Sequence, residues 1–164
     1  MKRTFLSAFF ALASVALVAQ DPIAMGVKIP QNTILSEQAQ QVLTNKLQQL
    51  ATLNNVGSQD SEARYVLVPQ VSITQSEITP TAPPQQLVKL NVVIMIVEND
   101  RLKAVVAQTE LNNNGVGKNE AAAILNALQQ IDVRSPALKK FMELGKKKIA
   151  KLPPATVKPS YPED

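Results

Sequence analysis

Between Leu87 and Glu98 the chain reads LVKLNVVIMIVE, and no other stretch narrows the fold as much. Val88, Leu90, Val92, Ile94 and Ile96 recur at every second position, with Lys89 and Asn91 between them. That two-residue period is the mark of an extended strand with one buried face. From Val92 onward both faces are apolar. A strand coated on both sides with branched apolar residues needs cover above and below, so it belongs in the middle of a sheet.

Its neighbours in sequence supply partners. RYVLVPQVSITQSEI, from Arg64 to Ile78, alternates with Val71 and Ile73 opposing Gln70, Ser72 and Thr74. Pro69 lacks a backbone donor, so an edge or a bulge is expected there. TPTAPPQ, from Thr79 to Gln85, reads as a stiff, solvated connection. Asn99-Asp100 turns the chain into RLKAVVAQTEL, a hairpin partner ending at Leu111. Upstream, IAMGVKI from Ile23 to Ile29 is a short first strand stopped by Pro30.

Three helices are written between and after the strands. Ser36 is an N-cap, and Glu37 suits the positive end of the helix that follows. Ala39, Val42, Leu43, Leu47, Leu50 and Leu53 form one apolar face, ended by Asn54, Asn55 and Gly57. A second helix is predicted from Glu120 to Ile131, with Ala121, Ile124, Leu125 and Leu128 as its buried stripe. Ser135-Pro136 starts a third, lined by Leu138, Phe141, Met142, Gly145 and Ile149. The order β-α-β-β-β-α-α predicts an α+β fold: a mixed three-to-four-stranded sheet with helices packed on one face. The first strand–helix–strand unit should be a right-handed crossover.

The two ends differ from the middle. Lys2 and Arg3 precede an apolar run from Phe5 to Val18, broken only by Ser7 and Ser14 and followed by Ala19. This is the layout of a secretory signal peptide spanning residues 1–20, cleaved after Ala19 or Gln20. The run is shorter than a bilayer span requires. Residues 152–164 hold four prolines and no apolar periodicity, the composition of a disordered tail. Between them, 21–151 has the length of one domain.

Composition removes several function classes. The absence of cysteine excludes disulfides, thiolate metal sites, a cysteine nucleophile and an acyl anchor on cysteine. With no histidine, the usual general base and the commonest zinc ligand are also missing. The chain is therefore expected to be non-enzymatic and to need no cofactor. Losing Lys2 and Arg3 with the leader lowers the formal charge from +4 to +2.

Two clusters are candidate sites. Lys139, Lys140, Lys146, Lys147, Lys148 and Lys151 share one helix with a single acid, Glu143. They are either a solvated face suited to the helix's negative end or a dock for an anionic surface or partner. Few aromatics accompany them, and no nucleic acid is expected. The second cluster is Gly115, Gly117, Lys118 and Asn119, in the stretch NNNGVGKN. Glycines ahead of a helix can bring backbone amides to an anion. A phosphate-binding loop would need glycine at 112 and Ser/Thr at 119, and both are asparagine. The plainer reading is a flexible loop between strand and helix. The carboxylates are scattered, and the close pairs Asp60/Glu62 and Glu98/Asp100 sit in apparent turns.

From RYVLVPQV through LVKLNVVIMIVE to NNGVGKNEAAAILNALQQI, the chain resembles the envelope domains of the CsgG-like group. These include the periplasmic domain of the curli secretion channel and the activators of penicillin-binding proteins; the amino-terminal domain of TolB is related. Gly115, Gly117, Glu120, Ala121 and Ala127 would stand in that group's loop-and-helix position. The resemblance implies assembly and protein–protein contact in the envelope, without catalysis. The missing anchor cysteine and the lack of any insertion for membrane-spanning strands depart from it, and a pore is not expected. The functional expectation is an exported protein, periplasmic or secreted, that binds an envelope protein or itself. The alternatives are a small-ligand binder or hydrolase built on carboxylates or lysine, and attachment to an anionic surface through the last helix.

Overall fold

In the computed structural model, which describes residues 23–31, 33–99 and 104–153, seven elements follow the expected order. They are β1 (Met25–Val27), α1 (Glu37–Leu53), β2 (Tyr65–Ile78), β3 (Gln86–Glu98), β4 (Val105–Gly117), α2 (Glu120–Gln129) and α3 (Pro136–Ile149). The strands lie side by side in chain order, β1 parallel to β2 and the rest antiparallel. This is an α+β fold on a four-stranded mixed sheet. The predicted leader, Asp100 of the predicted Asn99-Asp100 turn with residues 101–103 of the predicted strand, and the predicted tail beyond Pro153 lie outside the described residues.

β3 is an inner strand, as its two-sided apolar half requires. Val88, Leu90, Val92, Ile94 and Ile96 are all buried on one face. Across from them, Leu67 pairs with Ile96 and Ala107 pairs with Ile96 from the other side, both buried. The stripes of α1 and α3 join this face in one continuous cluster. Ser36 caps α1 by accepting from the Ala39 amide, and Asn55 takes the left-handed conformation (φ 58°) after the helix. α3 buries the five residues expected of it. At Gly145 an added Cβ would sit 2.2 Å from Ile96 Cδ1, so the missing side chain lets α3 settle onto the sheet.

Several expectations need correction. β1 is only three residues, although the Lys28 amide continues the ladder to the Leu67 carbonyl at 3.0 Å. Of the two alternatives expected at Pro69, the bulge is absent, and the register shift lies between Ile73 and Gln75. Leu67 turns its carbonyl toward β1, so Pro69, two residues on, turns its donorless nitrogen to the same side, beyond the end of β1. The proline therefore sits on an edge.

The larger correction concerns Asn112 to Gly117. These residues are not a loop but the second half of β4, paired without a break to Gln86–Asn91. In α2 the buried residues are Ala123, Ile124, Ala127 and Leu128, while Ala121 is exposed and Leu125 half-buried. The two differences have one cause. A Cβ on Gly115 would lie 1.9 Å from the Ala123 carbonyl oxygen, and one on Gly117 would lie 2.5 Å from the Ala123 nitrogen. α2 rests backbone to backbone on the strand, which selects its alanine side rather than its largest apolar residues.

Candidate binding surface

α3 exists because Pro136 suits a first helical turn, and no further proline or glycine interrupts it before Gly145. Burying Leu138, Phe141, Met142, Gly145 and Ile149 inward leaves the lysines on the other sides. Lys139, Lys140, Lys147, Lys148 and Lys151 are exposed, and Lys146 is half-buried. The ion pairs among the described residues are Lys28–Glu62 and Arg64–Glu98, so none neutralises α3.

Lys146 differs from the rest of the run. Its ammonium donates to the carbonyl of Asn54, the residue that closes α1, at 3.2 Å. A long side chain laid over apolar surface and a charge placed at a helix's negative end account for its partial burial. In its place, Leu144 stands out among the exposed lysines, with 47% of its surface open. Lys140, Lys147 and Lys148 lie four before, three after and four after it, the spacings that put side chains on one helical face. Leu152 adds a second exposed apolar residue just past the helix. The outward side of α3 sets a leucine among lysines, with the exposed Glu143 on the flank between Lys140 and Lys147.

The glycine cluster is arranged differently. Gly115 and Gly117 are strand residues whose open Cα faces are filled by α2. Asn119 is the N-cap of α2, its Oδ1 accepting from the Ala122 amide at 2.9 Å. Lys118 is exposed between them. The structure thus brings these four residues together at a strand–helix junction, with the approach to both glycines taken up by the protein's own backbone.

The carboxylates have local work. Asp60 accepts from the Glu62 amide and Asp132 from the Arg134 amide, each closing a turn. Glu120 accepts from Ser76, and Glu110 accepts from Asn91. Glu98 is nearly buried and holds Arg64 through Nε at 3.0 Å and Nη2 at 2.9 Å. Ser76 stands opposite Val88, whereas Lys89 is the next residue along β3, so the two occupy opposite faces and form no dyad. Among the described residues no three metal-ligating side chains converge. A groove of about 410 Å³ lies along Val42, Asn45, Lys46 and Gln49. Another of about 330 Å³ lies between Leu35, Glu120 and Ile124. Neither gathers two acids or a Ser–Lys pair.

No protein-family model matches the chain, and no curated protein sequence does. Among solved structures the chain is similar to a minor lipoprotein from Acinetobacter baumannii, with 16% identity and a TM-score of 0.44 over 80% of this chain and 97% of that one. It is similar to a lipoprotein from Caulobacter crescentus CB15, with 13% identity and a TM-score of 0.43 over 79% and 93%. A PelC dodecamer from Paraburkholderia phytofirmans gives 14% identity and a TM-score of 0.35 over 79% and 84%. Among the described residues no helix is long and apolar enough to cross a membrane.

Sequence reasoning found the lysine run but missed Leu144 as a member of that face. The signal was present in its spacing from Lys140, Lys147 and Lys148. It also missed the Arg64–Glu98 pair, which comes from the adjacent ends of two strands.

Proposed function

We propose that this protein is an exported, non-enzymatic domain that works by binding, and that the outward side of α3 docks on anionic phospholipid surfaces. One observation carries the reading: Leu144 is half exposed at the centre of Lys140, Lys147 and Lys148, with no described carboxylate paired to them. Each lysine near an anionic leaflet contributes about 1 kcal/mol. Sinking the remaining surface of Leu144 into the headgroup boundary adds about 1 kcal/mol more. The cations are all lysines, which act as point charges suited to a diffuse field. Docking on an acidic protein patch would favour the bidentate fork of arginine, and α3 has none. The export leader read from the first twenty residues supplies the route to such a surface. The absence of histidine and cysteine supports the non-enzymatic reading.

Co-sedimentation with vesicles tests it. The protein should pellet with vesicles rich in phosphatidylglycerol and not with pure phosphatidylcholine, and added salt should release it. Reversing Lys147, Lys148 and Lys151 to glutamate should abolish the association. Lys146 is left in place because it holds α1. Equal pelleting of the reversed variant would refute the reading.

A further inference from the structure

The two edges of the sheet are finished differently. On the β2 side the edge is protected three times: by β1 over Tyr65–Leu67, by the donorless Pro69 and by the register shift at Ile73/Gln75. These are devices that stop another chain from adding a strand. β4, the opposite edge, carries a register shift only at its start, where Val106 is skipped between Val105 and Ala107. From Val105 to Gly117 it contains no proline and no lysine or arginine, and its pairing with β3 is unbroken from Ala107 onward.

Which backbone groups face outward follows from one hydrogen bond. The Val116 amide donates to Asn126 Oδ1 in α2 at 3.2 Å, so Val116 points away from β3. In a strand alternate residues point the same way. Asn114, Asn112, Glu110 and Gln108 therefore present their N–H and C=O groups to the open side. Among the described residues, α2 covers the edge at Val116 and nothing pairs with the other four.

We infer that β4 pairs antiparallel with β4 of a second copy of this chain, about a two-fold axis at Leu111. This register sets Gln108 opposite the partner's Asn114 and Glu110 opposite the partner's Asn112, giving about eight backbone hydrogen bonds from four pairs. The side chains fit it. Asn112 accepts from Asn91 through Oδ1 at 3.2 Å, which leaves its amide N–H groups for the partner's Glu110. A two-fold axis one residue earlier would place the two Glu110 carboxylates face to face, which is unfavourable. Glu110 is the one charge on the strand, so it weighs against that register. A self-complementary patch on a two-fold axis is the commonest route to a closed homodimer.

Sedimentation of the purified protein over a concentration series should show a reversible dimer. Asn112→Pro removes an N–H that takes no part in the ladder to β3 and should give a monomer whose thermal midpoint equals that of the wild type at concentrations where the dimer dissociates. Gln108→Lys combined with Asn114→Lys, both exposed positions, places lysine opposite lysine and should also abolish the dimer; it decides the matter if the proline variant misfolds. A wild type that is monomeric at every concentration overturns the proposal. So does a dimer that survives the paired lysine substitutions, or a monomer that takes up unrelated extended peptides instead.

Discussion

The ammonium nitrogen of Lys146 lies 3.2 Å from the carbonyl oxygen of Asn54, so α3 supplies the cation that closes α1. Lys46 repeats the arrangement in α1, donating to the Ile131 carbonyl just beyond α2 at 2.8 Å. Each of these lysines stabilises a neighbouring helix end, where unpaired carbonyls and the helix dipole concentrate negative charge. The basic run of α3 thus contains one structural lysine among exposed ones.

Lys146→Met should therefore destabilise the fold by about 1 kcal/mol in urea unfolding, through the lost charged hydrogen bond at Asn54. Lys147→Met, on the same turn and exposed, should change stability by less than about 0.5 kcal/mol. Equal effects would mean that the Lys146–Asn54 contact contributes nothing.

Gly115→Ala should cost about 3 kcal/mol, at the upper end of what overpacking does. The added methyl meets the Ala123 carbonyl oxygen and the Ala127 nitrogen at 2.6 Å, backbone atoms that cannot rotate aside. Ala127→Gly should fail to rescue it, because the obstruction is main chain rather than side chain. Denaturant midpoints of the single and double variants check this, and rescue would show that α2 shifts readily.

Arg64→Met should cost about 3 kcal/mol, because Glu98 is then left as an unpaired charge with only 6% of its surface open. Arg64 also donates to the Pro153 carbonyl at 2.9 Å and lies over the Tyr65 ring at 5.1 Å. Replacing both partners, Arg64→Met with Glu98→Leu, should recover most of the loss. A double variant no more stable than the single one would show that the cost lies in the lost Pro153 and Tyr65 contacts.

Leu144→Ala and Lys148→Ala should weaken vesicle binding in distinguishable ways. The leucine variant should lose about 1 kcal/mol with the salt dependence intact, and the lysine variant should flatten that dependence. Identical salt profiles would remove the distinction between insertion and attraction.

The inward face of β3, Ala39, Leu43, Leu47 and Leu50 of α1 and all five buried residues of α3 could be read from the chain, because each repeats at the period of its own element; Leu53, expected on the same face of α1, is exposed, and Ala51 is buried in its stead. The lysine run was legible for the same reason, as a departure in local composition. Asn112, Asn113 and Asn114 have little preference for extended structure, and their place in β4 depends on pairing with Lys89, Leu90 and Asn91. The alanine side of α2 was chosen by the glycines it rests on, not by its own hydrophobicity. Local order of side chains thus determined which segments become strands and helices and which positions are apolar. Only the tertiary structure decided how far β4 runs, which lysine is bound to α1 and which face of α2 is buried, because each of these depends on groups brought together from distant parts of the chain.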